Sequence, residues 1–281
     1  MVLVVLENRP APALLAPGAA PRLQQLMRQG ATALQTYGVA HPSLPNYLAL
    51  LGGDTFGIHS DCWFCTVDAP NLVDRLEAAG LSWKAYMEGL PRPGWLGPWN
   101  PLTRYAGKHN PFRYFQDIRR SPARRSRIVG FDALARDLRA GRLPAFAFVV
   151  PDLCHDGHDC PLAASDAWLG AFVRQLTASR AWDSRSVLFV TWDEGAGDDA
   201  SAAPGLAPGG GRTLLVALSP LARPGYRSGL PFSHLSLLRT LEDAWGLPPL
   251  GRSGLPGVRP LTPLFRPRSD RPTSADGSPG G

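Results

Sequence analysis

Three observations predict a single α/β domain, doubly wound, with a mostly parallel sheet flanked by helices. Four runs of strand length, Val2–Leu6, Ala145–Val150, Ser186–Val190 and Thr213–Leu218, are apolar almost throughout and rich in branched or aromatic residues. Strands buried on both faces of a parallel sheet read this way, without polar alternation. Helical segments alternate with these runs in the βα order of a wound sheet. Acids stand just beyond several of the runs, where open α/β sheets gather their ligands.

Taken in order, Val2–Leu6 is the first strand and ends in Glu7-Asn8. Pro10, Pro12 and Pro17 predict that the next segment stays out of a helix. Pro21 to Gln29 reads as a helix, with Pro21 in its first turn and Gly30 as its stop. Ala33 to Val39 is extended. Pro45 and the apolar residues through Leu51 make a helix that Gly52-Gly53 ends, so Ser43 sits at its N-terminus. Asp61 to Thr66 is a loop, Pro70 to Ala79 an amphipathic helix stopped by Gly80, and Leu81 to Met87 a strand ending at Glu88. Residues 89–130, rich in Pro, Gly, Trp and Arg, exceed ordinary loop lengths and read as an insertion or lid. Phe131 to Ala140 is helical, as is Asp166 to Ser179 with Ser165 as its N-cap. Gly195 to Arg212 reads as a mobile loop. A last helix starts at Ser233-His234 and ends at Gly246 after Trp245. There is no internal repeat. One domain over residues 1–265 is expected, followed by a disordered Arg/Ser/Pro/Gly tail, 266–281.

Composition narrows the partners. The 281 residues carry a net charge of +6, with arginine far outnumbering lysine. Such a balance suits nucleic acid, a membrane surface or an anionic substrate. No nucleic-acid motif is present, which leaves a small anionic substrate. No run reaches the roughly 18 apolar residues of a membrane span, so no stable membrane association is expected. Met1–Leu6 is too short for a signal h-region and lacks a basic start. The expected location is cytoplasmic, or secreted or periplasmic if a leader precedes this sequence. The four cysteines form two local pairs, Cys62/Cys65 and Cys154/Cys160. Three pairings are open, and disulfides, free thiols and a structural zinc all remain available.

The chemistry centres on strand ends. Thr191-Trp192-Asp193-Glu194 closes a buried strand with two adjacent carboxylates. Acids there make poor structural residues and good ligands for a hard or borderline cation. Ser43, at a helix N-terminus, stands where free N–H groups and the dipole favour an oxyanion or phosphate, although a serine there also serves as a plain N-cap. Pro151 to Cys160 packs Asp152, His155, Asp156, His158 and Asp159 into the densest ligand cluster of the chain, in the residue types that zinc, iron and manganese use. His234, in the first turn of the last helix, would be kept neutral by the dipole and so fit for ligation. His109 alone reads as a surface histidine. Arg119, Arg120, Arg124, Arg125 and Arg127 read as a solvated face from which an anionic substrate could use one or two. Parallel strands bring Glu7-Asn8, Ser43, Asp152 to His158 and Asp193-Glu194 to one edge of the sheet. A hydroxyl nucleophile, a cation site and histidines together suit phosphoryl transfer. The metal lowers the serine pKa, the helix N-terminus and Asn46 hold the oxyanion, and a histidine protonates the leaving alkoxide.

The motifs Glu7-Asn8, His41-Pro42-Ser43-Leu44-Pro45-Asn46-Tyr47, Lys108-His109-Asn110-Pro111-Phe112, Asp156-Gly157-His158-Asp159 and Thr191-Trp192-Asp193-Glu194 together resemble the bacterial phosphoesterase family. That family holds acid phosphatases and phosphatidylcholine-type phospholipases C within the alkaline phosphatase superfamily. The resemblance spans roughly residues 2–265 in the family's order. It implies that Ser43 forms a phosphoseryl intermediate and that Asn46 contacts the phosphate. It implies that Glu7, Asn8, Asp193 and Glu194 bind a divalent metal (Zn, Ca, Mg, Mn or Fe) alongside Ser43. His109 and His158 would line the phosphate pocket. Asp152 or Asp156, with His158 and His234, would supply a second metal or further phosphate contacts. The sequence after Glu194, Gly-Ala-Gly-Asp-Asp, lacks the aromatic and Asp-His of larger relatives, and the chain lacks their extra domains. Both departures favour a compact phosphomonoesterase on small phosphorylated substrates. The alternatives are a phosphodiesterase of phospholipase C type, and a non-catalytic protein holding zinc on the four cysteines.

Overall fold

In the computed structural model, residues 1–197 and 209–267 are described. The elements run β1 (Val2–Leu6), α1 (Ala11–Leu15), α2 (Pro21–Gln29), β2 (Ala31–Tyr37), α3 (Ser43–Gly52), α4 (Leu72–Ala78), β3 (Trp83–Met87), β4 (Trp99–Asn100), β5 (Tyr105–Ala106), α5 (Gln116–Arg120), α6 (Pro122–Arg125), β6 (Ile128–Val129), α7 (Phe131–Ala140), β7 (Phe146–Val150), α8 (Leu162–Ala178), β8 (Leu188–Trp192), β9 (Arg212–Leu218), β10 (Arg227–Ser233) and α9 (His234–Trp245). Eight strands form one sheet in the order β10-β2-β9-β8-β1-β7-β3-β6. Every pairing is parallel except those of β9, which runs antiparallel to both β8 and β2.

The unbroken apolar runs have the predicted cause. In β1, Leu3 and Val5 face one core while Val2, Val4 and Leu6 face the other, and all five are buried. The first core is closed by α3, α4 and α9, the second by α1, α2, α7 and α8. The α/β, mostly parallel sheet read from the sequence is therefore the fold of the chain.

Several elements differ from expectation. Residues 11–15 are helical despite their prolines, because Pro10 occupies the N-cap and Pro12 the first turn, where a missing N–H costs nothing. Helix α8 begins a turn earlier than expected, at Leu162, with Pro161 as N-cap, so Ser165 lies buried inside it. Strand β10 was hidden by Gly229 and Pro231, residues that an edge strand with a register shift accommodates. The insertion resolves into short pieces, of which Phe112, Tyr114, Phe115 and Ile118 enter the first core and Arg124 binds Asp74, Glu77 and Asp117. The cysteines close as Cys62–Cys65 and Cys154–Cys160, which leaves no thiolate for a structural zinc. Of the loop predicted to be mobile, residues 198–208 lie outside the described residues. So does the predicted tail from residue 268 onward.

Candidate active site

The carboxyl ends of β1 and β8 lie side by side, because Leu6 pairs with Trp192. Glu7 and Asp193 follow directly, and both are fully buried. Beside them, α3 begins at Ser43. Its N-cap position is taken by Pro42, which supplies no cap, and the Leu44 N–H of the first turn donates to Asp61 Oδ1 at 2.9 Å. The Ser43 hydroxyl instead donates to Glu7 Oε1 at 2.5 Å, so Ser43 is not a capping residue. Oxygens of Glu7, Asp193 and Glu194 all lie within 4.8 Å of one another. Asp193 Oδ1 accepts from the Asn8 and Glu194 backbone N–H groups, at 2.9 and 2.7 Å. Its Oδ2 is buried without a partner. Gly38 lies so near that a Cβ there would stand 2.9 Å from the Asp193 carbonyl oxygen, so only glycine fits.

Three buried acids this close cannot all be ionised. Burial, and then the charge of Glu7, push the Asp193 carboxyl well above the usual carboxylate range, so it holds a proton. Burial alone would raise Glu7 too, but the His109 imidazolium beside it outweighs this and keeps Glu7 ionised. Glu194 is raised by burial, against the opposing pull of His41, whose Nδ1 lies 2.5 Å from Glu194 Oε2.

A second layer of charge lies behind Glu7. His109 is buried, stacks on Tyr47 with ring centroids 5.1 Å apart, and lies 3.1 Å from Glu7 Oε2 and 3.2 Å from Asp156 Oδ2. These are charge contacts, since the ring is not aligned for a hydrogen bond to either oxygen. Burial opposes its charge, but the two acids raise it to about 9, so the ring is an imidazolium at neutral pH. His109 is thus an interior residue, and the expectation of a surface histidine from its own sequence context does not hold. Lys108 places Nζ 3.4 Å from the Ser43 hydroxyl, 3.6 Å from Glu7 Oε1 and 3.0 Å from Asp61 Oδ2.

The remaining candidates are placed as follows. His158 sits at the rim, its ring 6.5 Å from that of His109 and its Nδ1 2.7 Å from Asp159. Asn8 is exposed, adopts a left-handed φ of 46°, and reaches Asp193 through its backbone. Asn46 is fully engaged elsewhere. Its Oδ1 accepts from Val39 and Ala40, and its Nδ2 donates to the Ala40 and Pro42 carbonyls. It braces the loop leading into Ser43 and keeps no free donor for a phosphate in this arrangement.

Among the described residues, the expected second ligand set is not one of the close ligand groups. Asp152 joins Glu88 and His155, Asp156 meets His109 and the His158 backbone N–H, and His234 donates from Nε2 to the Asp193 carbonyl oxygen. Burial lowers His234 to about 4, so it is neutral as expected, but one of its nitrogens is spent on backbone. Lys108, Asp61 and His41 were not assigned roles from the sequence. Lys108 stands directly beside His109, which was the available signal. Nothing in the spacing announced Asp61 or His41.

A model of the Phosphoesterase family matches residues 13–248. The chain is 35% identical to a phosphatidylinositol-3-phosphatase of Mycobacterium tuberculosis over 89% of its own length and 78% of the relative's. It is 29% identical to a phosphate-repressible acid phosphatase of Penicillium chrysogenum over 82% of its length, but spans only 55% of that protein. Among solved structures, a Vibrio parahaemolyticus protein of the alkaline phosphatase superfamily superposes with a TM-score of 0.59 at 16% identity, covering 93% of this chain and 69% of that one. The fold is that of the alkaline phosphatase superfamily, and the chain belongs to the Phosphoesterase family.

Proposed function

We propose that the protein is a metal-dependent phosphoric monoester hydrolase working through a phosphoserine on Ser43. The observation that carries this reading is the 2.5 Å contact of the Ser43 hydroxyl with Glu7, at a helix N-terminus and beside three mutually close carboxylates. The donor set fits a divalent cation. Asp193 Oδ2 is buried and unpartnered, and the acids crowd closely enough that a proton must otherwise separate them. Glu7, Asp193, Glu194 and the Ser43 oxygen would hold it, an all-oxygen set of the kind magnesium, calcium or manganese takes. When bound, the ion supplies charge neutralisation at the phosphate and a lowered serine pKa.

The chain's own groups do the rest. Glu7 takes the Ser43 proton as Oγ bonds to phosphorus and the ester P–O bond breaks. His158, at the open side, gives the departing alkoxide its proton. Water then gives one proton to His158, restoring it, and attacks the phosphoseryl phosphorus, while Ser43 leaves with the proton held by Glu7 and inorganic phosphate is released. Lys108 and the α3 N-terminus hold the phosphoryl oxygens. His109, charged between Glu7 and Asp156, fixes Glu7 as an ionised acceptor. Lys108, 3.4 Å from the Ser43 hydroxyl, matches the dianion of a monoester better than a singly charged diester. Hydrolysis of p-nitrophenyl phosphate with added divalent metal, and its loss in Ser43→Ala, tests the reading. Wild-type activity in that variant removes Ser43 from the mechanism. Faster turnover of bis-p-nitrophenyl phosphate would favour the diesterase alternative.

A further inference from the structure

Among the described residues, four large apolar side chains are more than half exposed. Trp63 is 61% exposed, Phe64 71%, Trp99 57% and Leu102 94%. Single exposed apolar residues are ordinary, but a cluster of them around a site mouth marks an interaction surface. These four fall in two pairs, Trp63 with Phe64 and Trp99 with Leu102. Trp63 and Phe64 fill the four-residue ring closed by Cys62–Cys65, edge to face with centroids 5.8 Å apart. Asp61, just before that ring, contacts Lys108 and the Leu44 N–H next to Ser43. Trp99 pairs with Ala106 in the β4–β5 hairpin, two residues before Lys108, and Leu102 lies in the hairpin turn. Arg113, buried beneath, donates from one nitrogen to the Trp63 carbonyl and to the Leu96 carbonyl, each at 2.9 Å. One guanidinium thus ties the aromatic ring to the lead-in of the hairpin. Both loops lead to Lys108, beside the Ser43 hydroxyl: the ring through Asp61, and the hairpin through Ala106.

Cations accompany the tips. Arg92 and Arg125 flank a groove of about 510 Å3 whose floor includes Trp95 and Leu96. Arg92 lies over the Trp95 ring, 5.4 Å from its centroid. Arg104, two residues past Leu102, is exposed. Exposed apolar tips accompanied by arginines suit a fluid headgroup layer. Tryptophan, phenylalanine and leucine enter its boundary with the acyl chains while guanidinium groups meet lipid phosphates.

We infer that this rim docks the active-site mouth onto the surface of an anionic phospholipid bilayer. Among the described residues no helix is long and apolar enough to cross a membrane, so the contact is peripheral. It goes beyond the hydrolytic reading and reverses the expectation of no stable membrane association.

The test is flotation of the full chain with vesicles of phosphatidylcholine alone and of phosphatidylcholine and phosphatidylserine in equal parts. Tighter binding to the anionic vesicles, weakened by salt and accompanied by a blue shift of tryptophan fluorescence, is expected. Trp63→Ser combined with Phe64→Ser should weaken vesicle binding about tenfold or more, since the main apolar tips are lost. The same variant should keep its turnover of p-nitrophenyl phosphate. Leu102→Ser, in an exposed turn, should weaken binding independently. Ser43→Ala should float as wild type does, so a failure of the phosphatase reading leaves docking measurable. No binding of the wild type, or equal binding by the rim variants, overturns the inference. So does a raised KM for aryl phosphates in the rim variants with vesicle binding unchanged, which would assign the rim to the substrate's apolar group.

Discussion

Asp193→Asn separates the cation-binding role of the acid cluster from any structural role. Oxygens of Glu7, Asp193 and Glu194 lie within 4.8 Å of one another. Two full charges at that spacing repel by roughly 3–4 kcal/mol at an effective dielectric near 20, so the metal-free cluster keeps a proton on Asp193. Asparagine copies the shape and neutrality of that protonated acid but is a poorer cation ligand. In the metal-free protein the folded state holds a proton on Asp193 that the unfolded chain has released above the ordinary carboxylate range. Raising the pH from there erodes wild-type stability and leaves the asparagine variant unaffected. Without metal, therefore, the variant should match the wild type at mildly acidic pH and exceed it at alkaline pH. With a divalent ion at about 100 times its Kd, the wild type gains roughly 2.7 kcal/mol. For a domain of this size that is a rise of roughly 5–10 °C in Tm. Thermal unfolding with and without manganese, magnesium and calcium reads both effects. The reasoning fails if the variant keeps the full metal-induced rise, or if it is markedly less stable than the wild type without metal.

Three further outcomes follow from the same geometry. Lys108→Met should lower kcat/KM for a monoester by roughly 10²–10³, the usual cost of one preorganised phosphate-facing donor, with a smaller loss in Lys108→Arg. His234, lowered to about 4 in the fold against an ordinary 6.5, refuses a proton that the unfolded chain accepts between those values. Wild-type urea midpoints should therefore fall as the pH drops from 6.5 to 4, and His234→Gln should flatten that fall. Opening Cys154–Cys160 by paired serine substitutions should cost roughly 2–3 kcal/mol, from the loop entropy it removes from the unfolded chain. The same change should lower activity by loosening Asp156 and His158, which stand inside that loop.

The elements most legible in the sequence were those whose local chemistry and tertiary setting agree. Strands β1, β7 and β8 are buried on both faces and carry a single polar residue, Thr191, to blur them. Helices α2 and α7 match the segments read from the sequence because Pro21 and Gly141 mark an N-terminal first turn and a left-handed stop. Helix α1 and strand β10 were illegible because each contains a proline, Pro12 in a first turn and Pro231 in an edge strand, at positions that tolerate it. The direction of β9 is a property of the whole sheet and leaves no mark on an apolar heptapeptide. At the site, the convergence of Glu7, Ser43, Asp193 and Glu194 followed from the logic of strand ends. The contact of Lys108 with Ser43 depends on how a 42-residue insertion packs back over the sheet, and the commitment of Asn46 on the path of residues 39–42. No periodicity encodes that.

The most direct measurement is acid-quenched mass spectrometry of the metal-loaded enzyme during turnover of p-nitrophenyl phosphate. A phosphoryl group on the peptide carrying Ser43, formed in the wild type and absent from Ser43→Ala, is the predicted result. Steady turnover with no phosphorylated Ser43, or with the label on a histidine or another serine, would contradict it.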